Sequence, residues 1–273
     1  MTHGRPSVLI FLAIGAAAIA NARDVSVQVF GLFHPSRIQI QPVRNQTLTI
    51  RLRDQPASPV SWPDSLEINE PAELPAPADF VLRVPGRIER QYHGRLVIYQ
   101  QGRELIPVLI TDVETAVASI VAAESPPGSP DESLRAQAVV ARSYLLAAGR
   151  RHRLSDFCDT THCQFLREPP VAGSPSARAS KSTVGIALFY QGSILEALYS
   201  ADCGGRTRTL ADARLAEAAY PYFAVECPVH DGIPSGHRIG LCQRGAAAMA
   251  RSGATWRDIL LRFFPGATVS ASN

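Results

Sequence analysis

The apolar residues of this chain change their period at Thr111. Before it, Val25, Val27 and Val29, then Ile38 and Ile40, then Leu48, Ile50 and Leu52 recur at every second position, the spacing of half-buried strands. After it, "DVETAVASIVAAE" contains neither Gly nor Pro and sets Val113, Val117, Ile120 and Val121 at helical spacing. A chain that spends its first hundred residues on strands and then turns to helices is expected to be α+β. The form predicted is a β-rich N-terminal part followed by a mixed helix and hairpin region. Further strands are read in "FVLRV", "RLVIY" and "LIPVLI". Between them, residues 55–79 carry Pro56, Pro59, Pro63, Pro71, Pro75 and Pro77, which predicts an irregular, extended connection, because proline cannot donate to a ladder.

The helical region is punctuated clearly. Pro126 and Pro127 must end the first helix just after Glu124. At "SPDE" a second begins, with Ser129 as cap, Pro130 at the first helical position and Glu132 completing a capping box. On this helix Gln137 and Tyr144 lie seven residues apart and share a face, as do Arg135 and Arg142. "TVGIALFYQGSILEALYS" predicts a hairpin turning at Gln191-Gly192. Two helices close the chain, one from about Gln243 to Ser252 and one in "TWRDILLRFF".

The N-terminus reads as an export signal. Arg5 precedes an apolar run from Ser7 to Ala20, and Ala20-Asn21-Ala22 supplies a small-x-small site for cleavage after Ala22. The rival is an uncleaved anchor, but the run is short of the ~20 residues that span a bilayer. Residues 1–22 are therefore assigned as signal peptide, 23–84 as the β-rich region with its proline-rich connection, and 85–273 as the functional domain. The expected location is secreted or periplasmic, in the cell envelope, with no stable transmembrane span after cleavage. Twenty-seven Lys and Arg against 24 Asp and Glu leave a net charge of only +3. The basic residues are scattered and aromatics make up 7%, which argues against a nucleic-acid partner.

Two groups of residues carry chemistry. Glu124 ends an apolar helix, so it is either a solvated helix end or an acid at the lip of a cleft. Ala122, Ala123, Pro126 and Pro127 would desolvate it, and the helix C-terminus disfavours its charge. The second group is "HRLSDFCDTTHCQ", which gathers His152, Cys158, His162 and Cys163. Thiolates and imidazoles are zinc ligands, and His152, Cys158 and Cys163 are the candidate metal residues. The alternative is a Cys158–Cys163 disulfide. Either role is structural, and no cofactor is required for the chemistry. The five cysteines are odd in number, and Cys203 with Cys227 is a second candidate pair. His237 and Cys242 suggest a cysteine peptidase only weakly, since a spacing of five residues is not a nucleophile–base geometry.

Several stretches in order, "AAESPPGSPDESLRAQAVVARSYLL", "CDTTHCQ", "TVGIALFYQGSILEALYSADCGGRT", "YPYFAVECP" and "GHRIGLCQRGAAAMARSGATWRDILLRFFPGATV", resemble the SpoIID/LytB family, the stage II sporulation protein D and amidase-enhancer group. The resemblance covers about residues 85–270. It implies a peptidoglycan lytic transglycosylase that cuts glycan strands stripped of their peptides, with Glu124 as the catalytic glutamate and Arg142 as its associated arginine. Arg142 is otherwise an exposed helix charge or the structural partner of an acid. The same resemblance implies a glycan-binding role for Gln137, Tyr144, Tyr199, Ser200, Gly204, Gly205, Thr207, His237 and Gln243, and a structural zinc near the His/Cys loop. Its partners would be peptidoglycan glycan strands and a cell-wall amidase. The family's second name keeps a non-catalytic, glycan-binding activator of such an amidase as the alternative. Two positions depart from the pattern: Arg238 stands where relatives have glycine, and Cys242 where they have serine.

Overall fold

The computed structural model describes residues 23–272; the expected signal peptide lies outside the described residues. Strands come first: β1 (Asp24–Gln28), β2 (Ile38–Pro42), β3 (Thr47–Leu52), β4 (Ser58–Ser61), β5 (Leu66–Ile68), β6 (Ala72–Val84), β7 (Ile88–Gln101) and β8 (Glu104–Asp112). Helices α1 (Val113–Glu124) and α2 (Asp131–Ala147) follow, then β9 (Phe157–Cys158), α3 (Pro175–Ser182), β10 (Ile186–Tyr190), β11 (Ser193–Ile194) and β12 (Tyr199–Ser200). The chain ends in β13 (Leu241–Cys242), α4 (Gln243–Arg251), α5 (Trp256–Phe263) and β14 (Thr268–Ala271). The fold is α+β, as the change of period predicts.

Nine strands form one sheet in the order β4-β3-β6-β7-β8-β1-β9, with β2 branching from β6 and β5 pairing with β2. Its pairs are antiparallel except β1 with β9. In β7 the inward face buries Arg90, Tyr92, Gly94, Leu96 and Ile98 at alternate positions, which is what a strand with one covered face requires. The β6–β7 hairpin crosses residues 84 and 85, so the sheet is continuous over the expected start of the functional domain.

Residues 55–79 differ from expectation, because three of the six prolines are absorbed into strands rather than excluding them. Pro59 lies in the end strand β4. Pro75 and Pro77 fall where the β6–β7 register slips between Leu74 and Ala78. Edges and bulges are the places where a missing N–H costs no ladder bond.

The helices sit together after the sheet. Asp112 caps α1 by accepting from the Glu114 and Thr115 N–H groups. The capping box expected for α2 does not form. Pro130 takes the cap position, Ser129 Oγ donates to Pro126 O at 2.6 Å, and Glu132 is drawn away to Arg135 and the Trp256 N–H. There the carboxylate serves the first turn of α5 instead. Helix α2 is buried on almost every side: Leu134, Ala138, Ala141 and Leu145 face one core, and Ala136, Val139 and Val140 face a second. Helix α2 is therefore internal, the partition between the two cores, and it also buries the polar Gln137, Arg142 and Ser143. The hairpin at Gln191-Gly192 forms as predicted, with both residues at positive φ. Among the described residues, no helix is long and apolar enough to cross a membrane.

Candidate active site

Glu124 is the last residue of α1, half-buried at the wall of a cavity of about 210 Å³. The lining comes from four separate places: α1, α2 (Tyr144), the loop after β9 (Thr161, Cys163, Gln164), and the β12–β13 pair with its flanks (Tyr199, Ser200, His237, Gln243). Glu124 is the only carboxylate among the lining residues.

Three hydrogen bonds hold the acid in place. The Phe165 N–H donates to Glu124 Oε1 at 2.6 Å. Gln243 Nε2 donates to the Glu124 carbonyl at 2.9 Å and to Gln137 Oε1 at 3.4 Å. Helix α4 thus begins on a side chain that ties α1 to α2. Strands β12 and β13 pair in parallel, Tyr199 with Leu241 and Ser200 with Cys242. Gly240 permits this approach: a Cβ there would lie 2.1 Å from Leu198 O, and its φ is +70°.

Burial raises the pKa of Glu124 above the usual carboxylate value. The Phe165 N–H opposes the rise, as does the Tyr199 hydroxyl, which is close to the carboxylate without forming a hydrogen bond to it. The source of the desolvation differs from the one expected. Ala122, Pro126 and Pro127 are exposed, and the desolvation comes instead from the carboxyl's burial at the cavity wall. Burial first, and then the neighbouring carboxylate, raise the pKa of the Tyr199 hydroxyl and keep it protonated. His237 stands at the rim with part of its ring exposed. Desolvation lowers its pKa, and its Nδ1 accepts the Ile239 N–H at 3.0 Å.

Several buried polar atoms here have no protein partner: both amide atoms of Gln164, Ser200 Oγ, Tyr199 OH and Gln137 Nε2. Buried polar groups are normally satisfied, so a cluster of orphans around one acid is what a site for a hydroxyl- and amide-bearing ligand looks like.

Of the residues expected at the site, Glu124, Tyr144, Tyr199, Ser200, His237 and Gln243 line the cavity, and Gln137 supports Gln243 from behind. Arg142 does not line it. Its guanidinium is 0% exposed and doubly bonded to Glu114, with a further donation to Ile186 O at 3.1 Å. It is the structural partner of an acid, joining α1, α2 and β10. Gly204, Gly205 and Thr207 are also outside the lining. Thr207 Oγ1 donates to Phe223 O and accepts from the Val225 N–H, which braces a loop. Gln164 was not singled out from the sequence. Its only signal was adjacency to the second cysteine of "CDTTHCQ", and its burial comes from the fold.

The two family departures are accommodated. Arg238 adopts φ +65°, a left-handed conformation that glycine takes without strain. That costs roughly 1–2 kcal/mol for a residue with a Cβ, offset by its Nε donating to Cys203 O at 2.8 Å. Cys242 caps α4 as a serine would, its Sγ accepting from the Gly245 N–H at 3.3 Å.

Beside the cavity, His152, Cys158, His162 and Cys163 each offer a ligand atom, all within 4.8 Å of one another. His152 Nε2 lies 3.3 Å and His162 Nδ1 3.4 Å from Cys163 Sγ. The sulfurs of Cys158 and Cys163 are not joined. The geometry adds His162 to the expected trio and completes a donor set of two nitrogens and two sulfurs, the number and kind that tetrahedral zinc takes.

No curated protein matches this chain. A family model described as "SpoIID: Stage II sporulation protein" matches residues 101–190, a stretch from the end of β7 to the end of β10 that contains Glu124, Arg142 and the whole His/Cys loop. Over that segment the chain is similar to the SpoIID family.

Proposed function

We propose that this protein is a peptidoglycan lytic transglycosylase acting on glycan strands, with Glu124 as its acid and then its base. The observation that carries this reading is the lone, desolvated carboxylate among the cavity-lining residues. Hydrolytic glycosidases need two carboxylates, one to protonate the leaving oxygen and one to serve as base or nucleophile. A transglycosylase needs one, because the sugar's own 6-hydroxyl attacks the anomeric carbon. Glu124 gives its proton to the glycosidic oxygen as the C–O bond breaks. The resulting carboxylate then takes the proton of the 6-hydroxyl as the 1,6-anhydro ring closes, which restores the acid. Tyr199, Ser200 and Gln164 supply unpaired donors and acceptors for sugar hydroxyl and N-acetyl groups. The family's link to peptidoglycan supports the same substrate class and a place in the cell envelope.

The test is a digest of purified, peptide-stripped glycan strands read by mass spectrometry. Fragments ending in 1,6-anhydro sugars are expected. Hydrated reducing ends would make it a hydrolase and require a second carboxylate. Strands bound but uncut would turn the reading to a non-catalytic activator of a cell-wall amidase.

The His/Cys set fits a structural zinc ion, held by His152, Cys158, His162 and Cys163. Bound there, it would fix the loop that delivers Gln164 to the cavity and the Phe165 N–H to Glu124. Elemental analysis should find zinc on these four residues at one per chain. Removing it with a chelator should lower the melting temperature by about 5–10 °C, the effect of losing ~2–3 kcal/mol in a chain of this size.

A further inference from the structure

Behind the wall of the cavity lies a second group of sulfurs. Cys203, Cys227 and Cys242 place their Sγ atoms within 4.8 Å of one another, at 0%, 2% and 0% exposure. They come from three separate segments and meet inside the second core, which also holds Ile239 and Phe263. The arrangement is built rather than incidental. Gly245 lacks the Cβ that would come within 2.5 Å of Cys227 Sγ. Cys242 Sγ receives two backbone N–H groups, from Cys203 at 3.4 Å and Gly245 at 3.3 Å, and it sits at the N-terminus of α4, where negative charge is favoured.

We propose that Cys203, Cys227 and Cys242 form a three-thiolate site for a soft monovalent d10 cation, with Cu(I) as its best match. A single disulfide would use two of the sulfurs and leave the third buried against the bond with nothing to do, and none of the five cysteines is joined to another. Zinc takes four ligands, yet among the described residues no fourth His, Cys, Asp or Glu atom joins the three, and their burial leaves no opening for water. All-thiolate donors select soft ions. The contrast with the His/Cys loop lies within one chain: four mixed donors there, three sulfurs here. The consequence is mechanical. Residues 201–240 contain turns and isolated bridges but no strand or helix, and the ion would clamp this segment at both ends and at Cys227. It would thereby steady Ser200, which pairs with Cys242, and Gln243, which follows it.

The experiment is an anaerobic titration of the reduced, zinc-loaded full chain with Cu(I) presented as a bicinchoninate complex. One Cu(I) should bind per chain, X-ray absorption should show three sulfur neighbours and no nitrogen, and the melting temperature should rise. Cys242→Ser should lose this binding, while Cys158→Ser should keep it. Because Cys242→Ser also removes a cap and could unfold, the wild-type chain is mapped by alkylation as well, where Cu(I) should shield Cys203, Cys227 and Cys242 together. Nitrogen in the coordination shell, full binding by a folded Cys242→Ser, or a disulfide among the three in protein isolated without reductant would each overturn the proposal.

Discussion

Glu124→Gln is expected to abolish strand cleavage, lowering turnover by about 10²–10⁴-fold or more, the range carried by a positioned general acid–base. The substitution keeps the shape and an oxygen that still accepts the Phe165 N–H, so strands should bind with little change in affinity. A sedimentation assay with uncut strands beside the mass-spectrometric digest separates the two effects. Residual cleavage at the wild-type rate would remove Glu124 from the mechanism.

The same substitution should make the protein more stable, and the sign follows from burial. The folded pKa of Glu124 is raised above its ordinary value of 4.5. The folded state therefore binds the proton more tightly than the unfolded chain does. That contribution is fully present below the unfolded value and is lost as pH rises through the folded one. At neutral pH the carboxylate is a destabilising presence that a neutral amide avoids. Glu124→Gln should thus melt higher than wild type at pH 7–8 and coincide with it near pH 4. Each pKa unit between folded and unfolded chains is worth about 1.4 kcal/mol, so the gap in melting curves measures the shift. An acid that weakens the fold in order to hold its proton is the signature of a functional group; a solvated helix end would show no gap.

Glu114→Gln should produce the second large effect, of opposite sign and on stability alone. Arg142 is completely enclosed, and among the described residues Glu114 is its only anionic partner, bonded at 2.8 and 2.5 Å and also accepting the Gly185 N–H at 3.2 Å. Removing the carboxylate's charge leaves a buried guanidinium uncompensated, at a cost of about 3–5 kcal/mol. Glu114 keeps some solvent contact, at 27% side-chain exposure, which favours the lower end of that range. A melting temperature lower by about 6–12 °C follows at 2–4 °C per kcal/mol. Cleavage per folded molecule should be nearly unchanged, because neither residue lines the cavity. A loss of activity without a loss of stability would return Arg142 to a direct part in the chemistry.

Local signals in the chain determine the class of fold and the existence of its elements. The period changes at Thr111, Pro126-Pro127 ends α1, and Gln191-Gly192 turns a hairpin; each acts over a few residues through backbone sterics and side-chain alternation, so each can be read without a partner. Glu124 was legible for a related reason, since a carboxylate at the end of an apolar helix and before two prolines is conspicuous on its own. What the tertiary structure alone decided depends on contacts remote in sequence. Glu132 completes a cap for α5 rather than its own helix because Trp256 arrives beside it. Arg142 turns inward because α1 presents Glu114 to it. Gln164 is buried and unpaired because the His/Cys loop folds onto the end of α1. Three cysteines spread over forty residues become one cluster because Gly245 leaves room for a sulfur. Spacing along a chain carries no information about such meetings; they are made by packing, as in the burial of one helix between two cores.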